Sequence, residues 1–386
     1  MMKICTLTSP ETGKRIVSID TLRGLAILMM VFSHALNWFF TGSSHEIITF
    51  FNVNAVGDMA TPFFYTISGL SLYFSVNSLS KSEPQQQKMF NFYLKRFLQL
   101  YLVGVILTKT FGVLQAQAIS LITVAAVFLL TGTYFSNRVS VGAVFFSGLL
   151  FFLLHFMIVS WMPPDHILAV YFLGKFPILA ILGMNAAGFY LGYRLQTRGL
   201  GPWSAVWGIA LTAVSLLLHS NLQAIQRIDM SISFILFGIG MVMVLIYLLN
   251  IPPFQKNPLI LPIIQVGKDA LFLFVAHYLL FFVPLYLFGL MDSFNKLTAV
   301  LLSGIITLAM VKISYWHQEK SYKFSIYGIM ELIFTVAANS FSLLLRPGIE
   351  AFYASTVQYL TTFNPNSQIH FRLNLPGYDF GEQSRN

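Results

Sequence analysis

Residues 18–38 read SIDTLRGLAILMMVFSHALNW. The run is long and apolar enough to cross a bilayer as a helix, for which about 20 residues suffice, yet it carries Arg23 and His34. Ionisable groups inside a span are costly unless they face a cavity or a partner, so the pair is the first functional candidate in the chain. Their eleven-residue separation amounts to about three helical turns and about 16 Å of rise. Both therefore lie on one face, with Arg23 expected near the cytoplasmic edge and His34 near mid-membrane. The same stripe continues through Ile27, Met30, Asn37, Trp38 and Thr41. Asp20, helped by Ser18, is expected to cap the helix.

Working outward, the setting is a membrane. Of 386 residues, 56% are hydrophobic and only 10% charged, with a mean hydropathy of +0.72; soluble chains carry about 25% charged residues. Apolar runs of membrane-spanning length recur, at 20–41, 56–79, 92–113, 117–135, 140–162, 168–193, 203–219, 231–250, 265–290, 297–316 and 325–346. The predicted fold class is all-α, a polytopic transmembrane helix bundle of about 10–11 spans. Residues 1–19 form a cytoplasmic N-terminal segment, 20–346 the membrane domain and 347–386 a polar C-terminal tail.

The net charge of +9 sits in short connections between apolar runs, the distribution of the positive-inside rule rather than of a nucleic-acid surface. Lys14 and Arg15, Lys81 to Arg96, Arg138, Arg194 and Arg198, Lys256 and Lys268, and Lys320 and Lys323 alternate with loops poor in basic residues. The N-terminus is thereby expected in the cytoplasm, and the protein in a plasma membrane of the bacterial inner-membrane kind. The first run is too long for a secretory signal and reads as a retained anchor. Cys5 is the single cysteine, so no intramolecular disulfide forms, and no Cys/His spacing suggests a metal site.

Two further spans carry polar groups. GDMATPFFYTISGLSLYF (57–74) places Asp58, Pro62, Tyr65, Gly69 and Tyr73 along one helix, and VGKDALFLFVAHYLL (266–280) places Lys268 and Asp269 before His277. Each has an ordinary structural alternative: Arg23 snorkelling to headgroups, Asp58 favouring a helix start, either histidine bonded between helices.

The ordered set of motifs resembles membrane acyltransferase family three and the related heparan-α-glucosaminide N-acetyltransferase catalytic domains. The resemblance begins with SIDTLRGLAILMMVFSH, where Arg23 and His34 match the family's basic residue and histidine. It continues through DMATPFFYTISGLSLYFS, YLKRFLQLYLVGVIL, FPILAILGMNAAGFYLGYRL and VGKDALFLFVAHYLL, covering residues 14–290. It implies transfer of an acyl group, acetyl by default, from cytoplasmic acyl-CoA to an acceptor at or beyond the membrane. The glucosaminide branch places its histidine in the loop before the second span. Here that loop offers only His45, a weaker candidate than His34.

The residues suit that chemistry on their own terms. A polyanionic donor needs cations at the cytoplasmic mouth, and Arg23, Lys95, Arg96, Arg194 and Lys268 stand at span ends. A neutral His34 can take a proton from an attacking hydroxyl or amine, or be acylated itself and pass the group on. Asp58 can orient an imidazole. Tyr65, Asn37 or His277 can stabilise the oxyanion, and Trp38 completes the substrate-facing set. No permanently bound cofactor is expected, acyl-CoA being a co-substrate. Partners are acyl-CoA, membrane lipids and an acceptor such as a carbohydrate, lipid-linked sugar or small amine of the cell envelope, with no nucleic acid. The alternatives are a transporter or proton-coupled channel using His34, Asp58 and His277 as a relay, disfavoured by the absence of visible repeats, and a non-catalytic membrane scaffold.

Overall fold

The computed structural model describes residues 16–40, 53–79, 97–108, 111–132, 136–163, 165–174, 176–199, 201–219, 230–251 and 257–319, with Leu94 and Phe254; the side chains at 53–59 and 78–79 and that of His219 fall outside this description. Among the described residues the chain is helical, with one isolated parallel bridge between Phe40 and Phe294. The helices are α1 (Val17–Phe39), α2 (Val53–Leu79), α3 (Phe97–Leu107), α4 (Val113–Gly132), α5 (Asn137–Trp161), α6 (Ala169–Phe172), α7 (Ile178–Arg198), α8 (Pro202–His219), α9 (Ile232–Leu249), α10 (Ile260–Lys268), α11 (Ala270–Leu287) and α12 (Lys296–Glu319). Seven of them, α1, α4, α5, α7, α9, α11 and α12, are long and apolar enough to cross a membrane. Their outward faces stay apolar: Trp161 is 85% exposed, and Phe146 and Leu308 are each 69% exposed. Such faces suit lipid rather than water. The chain is an all-α polytopic membrane bundle.

α1, α2 and α7 form its centre. Ile19, Leu22 and Ala26 of α1, Ile67 and Leu70 of α2, and Leu191 and Leu195 of α7 belong to one buried cluster. α2 and α7 approach backbone to backbone. A Cβ at Gly69 would meet Asn185 O at 1.9 Å, and one at Gly188 would meet Thr66 O at 1.9 Å. In lipid, where apolar surfaces gain little by leaving their solvent, small residues of this kind let dispersion hold helices together. Polar contacts add to it: the buried carboxamides of Gln117 (α4) and Asn185 (α7) exchange two hydrogen bonds of 3.2 Å.

Several expectations are corrected. The helix of α1 begins at Val17 with Ile16 at its N-cap, so Asp20 lies in the first turn instead of capping it. There it bonds Arg23 at 2.9 Å. His34 stands five residues before the end of α1 at Phe39, about 8 Å from that end. The expected span 168–193 is two elements, because Pro177 holds an extended backbone (φ −65°, ψ 120°) ahead of α7 and disfavours helix in the residue before it. The expected span 265–290 breaks at Asp269 (φ −109°, ψ 21°). It also contains a π-helical turn at Tyr278–Phe282, where Pro284, lacking an N–H, interrupts regular α bonding. Residues 1–15, the expected span 325–346 and the tail 347–386 lie outside the described residues.

The close helix contacts predict a contrast between two glycines. Gly188→Val, which must push α7 off the backbone of α2, is expected to lose about 1–3 kcal/mol or more of stability, read as a lower unfolding midpoint in detergent. Gly142→Ala, whose Cβ meets nothing within 4 Å, leaves the midpoint unchanged or slightly raised.

Candidate functional site

α1 and α11 converge on two histidines. His34 Nδ1 lies 3.1 Å from His277 Nε2, and the rings stack at 5.3 Å. His277 is fully buried, and its Nδ1 lies 3.2 Å from Leu273 O, one turn back on α11. A carbonyl only accepts, so Nδ1 of His277 carries the proton and Nε2 is its acceptor. In the neutral pair His34 Nδ1 must then be the donor, which leaves the lone pair of His34 on Nε2. The arrangement selects one tautomer of His34, as the second partner of an imidazole commonly does.

Aromatic rings wall the pair. Trp38 stacks on His277 at 5.8 Å with 12° between planes and also packs against Tyr278 and Phe282. Tyr278, the first residue of the π turn, sits 4.4 Å from the His277 ring and 5.8 Å from that of His34. Beyond α11, Asp292 N–H donates to Trp38 O at 2.8 Å and Phe294 N–H to Phe39 O at 2.9 Å. These bonds tie the end of α1 to the loop that follows α11.

His34 and Ser33 open onto a cavity of about 220 Å³. Along α1 the wall runs through Ala26, Ile27 and Met30, so it follows the stripe from one turn past Arg23 to His34. The opposite wall comes from α2, α3, the start of α4 and Phe176. Its polar groups include Thr61, Thr108 and Gln115. Gln115 is fixed by Gly112 N–H donating to Oε1 at 3.1 Å and by Nε2 donating to Thr108 Oγ1 at 3.0 Å.

The cationic groups gather at the other end of α1. Ile19 and Leu22 share a cluster with Leu191 and Leu195, and a Cβ on Gly267 would meet Asp20 O at 1.7 Å. Arg23, half-buried Arg194 and exposed Lys268 thus stand at one end of the bundle. Asp20 engages Nη1 of Arg23, and Lys268 Nζ reaches Gln265 Oε1 at 3.4 Å. Lys95, Arg96 and His45 lie outside the described residues, as does the side chain of Asp58.

The remaining expected site residues fall elsewhere. Tyr65 is fully buried and donates to Val113 O at 3.5 Å; it does not line the cavity, whereas its neighbour Phe64 does. Asn37 is exposed and also stands apart from the cavity wall.

Sequence reasoning missed His317. Asp269, buried at the break between α10 and α11, accepts from Ser314 Oγ at 3.1 Å, His317 Nδ1 at 3.2 Å and Gln318 Nε2 at 2.7 Å, all from α12. Gln265 and Gln318 also bond through their side chains. On α10, Ile263 abuts Gly24 and Gly267 abuts Asp20, toward the start of α1, whereas His277 meets His34 near its end. The chain must change direction between these contacts, and the Asp269 cluster pins that change to α12. The only signal was the spacing Ser314, His317, Gln318, one face of a helix with no visible partner. Among the described residues no group of three or more His, Cys, Asp or Glu side chains is placed to hold a metal.

A family model described as an acyltransferase domain matches residues 16–319. No curated protein matches the chain.

Two outcomes follow from this geometry. In ¹⁵N spectra of histidine-labelled protein, neutral His34 is expected as the Nδ1–H tautomer, and His277→Phe should release it to Nε2–H. Asp269→Ala removes the acceptor shared by Ser314, His317 and Gln318 and leaves buried His317 Nδ1 without that partner, so it is expected to lower stability by on the order of 3 kcal/mol, measured by chemical or thermal unfolding in detergent.

Proposed function

The chain belongs to acyltransferase family three, whose domain covers residues 16–319, and from that premise we propose that it moves an acyl group from acyl-CoA to an acceptor hydroxyl or amine, with His34 Nε2 as general base. The observation that carries this reading is the bond from His34 to His277 beside a cavity that His34 itself lines. In this reading the end bearing Arg23, Arg194 and Lys268 faces the cytoplasm of a plasma membrane and receives the donor's phosphates. The thioester arm follows the α1 stripe toward Ser33 and His34. Asp20 orients the Arg23 guanidinium, whose fork geometry suits phosphate.

The acceptor heteroatom gives its proton to His34 Nε2 as its electron pair attacks the thioester carbonyl carbon. The resulting imidazolium keeps its Nδ1–H on His277 Nε2, a neutral acceptor that spreads the charge. The tetrahedral intermediate collapses by breaking the carbon–sulfur bond, and the proton on Nε2 passes to the departing thiolate. The products are the O- or N-acyl acceptor and free CoA. Acetyl is the default group, and sugars, lipid-linked sugars and small amines of the cell envelope are the acceptor classes.

The test uses purified protein in nanodiscs with radiolabelled acetyl-CoA and a pooled envelope extract as acceptor. His34→Ala is expected to cut label transfer by about 10²–10⁴-fold while CoA binding persists. His277→Ala lowers kcat with KM nearly unchanged, and Arg23→Ala acts mainly on KM for the donor. Transfer that survives His34→Ala removes the general-base role, and label retained on the protein selects an acylated-histidine route instead.

A further inference from the structure

We infer that the Ser33 hydroxyl is the hydrogen-bond donor to the oxyanion of the tetrahedral intermediate, so that α1 carries both the base and the group that holds the developing charge. The inference rests on the reading of His34 as the base beside the thioester carbonyl.

The groups that the sequence offers for this role are engaged or placed elsewhere. Asn37 stands apart from the cavity wall, and Tyr65 donates to Val113 O. Both nitrogens of His277 are engaged, Nδ1 with Leu273 O and Nε2 with His34. A carbonyl oxygen that gains charge in a water-poor site needs a donor already aimed at it.

Ser33 lines the cavity beside His34 and is only 6% exposed. Hydroxyls on a helix commonly turn back to the carbonyl four residues earlier, as Thr21, Thr123 and Ser303 do toward Val17, Ile119 and Ala299 at 2.7–2.8 Å. Among the described residues Ser33 makes no such bond, to Met29 O or to any other group. Ser18, Thr66 and Ser120 also lack one, but none of these three lines the cavity. A buried hydroxyl without a partner is costly, and that of Ser33 opens onto the same space as the base.

The other polar groups on the wall are less suited. Thr108 Oγ1 donates to Gly104 O at 2.7 Å and accepts from Gln115, so its one proton is used. Gln115 is held by Thr108 and by the turn at Gly112. Thr61 and Tyr278 come from other helices, whereas Ser33 and His34 are consecutive on α1 and move as a unit. Consecutive helix positions diverge by about 100°. A nucleophile reaches a carbonyl carbon at a wide angle to the C=O axis, so its base and the donor to the oxygen must lie in divergent directions. Among the described residues no hydrogen bond joins Ser33 to His34, and a serine nucleophile needs its base within reach. As the acceptor heteroatom attacks, the carbonyl π pair moves onto oxygen and Ser33 Oγ–H bonds to it. When the carbon–sulfur bond breaks that pair returns, and Ser33 keeps its proton throughout.

The experiment measures binding and needs no acceptor. A methyl ketone and a trifluoromethyl ketone, each joined to the CoA sulfur through a methylene, are titrated against the protein in nanodiscs. The trifluoromethyl ketone adds water to become tetrahedral, while the methyl ketone stays planar. Native protein should prefer the trifluoromethyl compound. Ser33→Ala removes one oxygen and installs the strongest helix former. It should cut that preference about 10- to 100-fold and leave methyl ketone binding unchanged. Ser33→Cys, which keeps the volume but is a weak donor, should lose most of the preference as well. A preference that survives in both variants overturns the assignment, and its loss in Tyr278→Phe instead moves the role to that phenol. Equal weakening of the two ketones in Ser33→Ala overturns it too, since the hydroxyl would then hold the arm or the fold. Native protein that binds both ketones alike has no oxyanion donor at Ser33, with the donor reading left intact. Failure of native protein to bind either ketone removes the acyl-CoA reading and the role of Ser33 together.

Discussion

A hydrogen bond between two imidazoles 243 positions apart in the chain is the contact on which the site depends. An isolated imidazole within a bundle interconverts between tautomers, so either ring nitrogen can carry the proton. His277 removes that ambiguity because its own proton is committed to Leu273 O. The helix backbone of α11 therefore sets the protonation pattern of a side chain on α1.

That dependence explains the structure around it. His277 must be held in one rotation and at one height, and α11 is secured at both ends of the segment that carries it. Asp269 pins its start to α12 through Ser314, His317 and Gln318. The π turn and the Trp38 ring close over its other side. A buried carboxylate with three donors resists displacement because moving it away leaves its own oxygens short of partners in the protein interior. On α1, the near-contact of Gly24 and Gly267 with the facing backbones allows α10 to cross close enough for α11 to rise beside His34. The cationic end and the histidine end are thus joined by one continuous stretch of packed backbone.

The same arrangement separates two chemical environments along a single helix. Arg23 remains half-buried beside Asp20 at one end, where charge can be solvated or paired. His34 faces a largely hydrocarbon space near the other, where hydrogen bonds are few and each is strong. The polarity of α1 therefore changes along its length, from a paired cation at one end to an imidazole beside apolar walls near the other.

The chain itself determined the membrane setting, the helix class and the face shared by Arg23 and His34, because each follows from composition or from the 3.6-residue period. It also marked His277 as an intramembrane polar group, since ionisable side chains in apolar runs are visible without coordinates. What it could not show was pairing. Nothing local distinguishes Asn37, which is exposed, or Tyr65, which is buried behind the cavity wall, from residues that face it, because a helical stripe is wide and its partners decide which edge is covered. His317 was invisible for the same reason: its meaning comes from Asp269 on another helix. The break at Asp269 and the π turn after His277 likewise arise from tertiary contacts and a proline, not from the apolar pattern, which continues through both. Local periodicity is written into one segment at a time; the tautomer of His34 exists only after two segments meet.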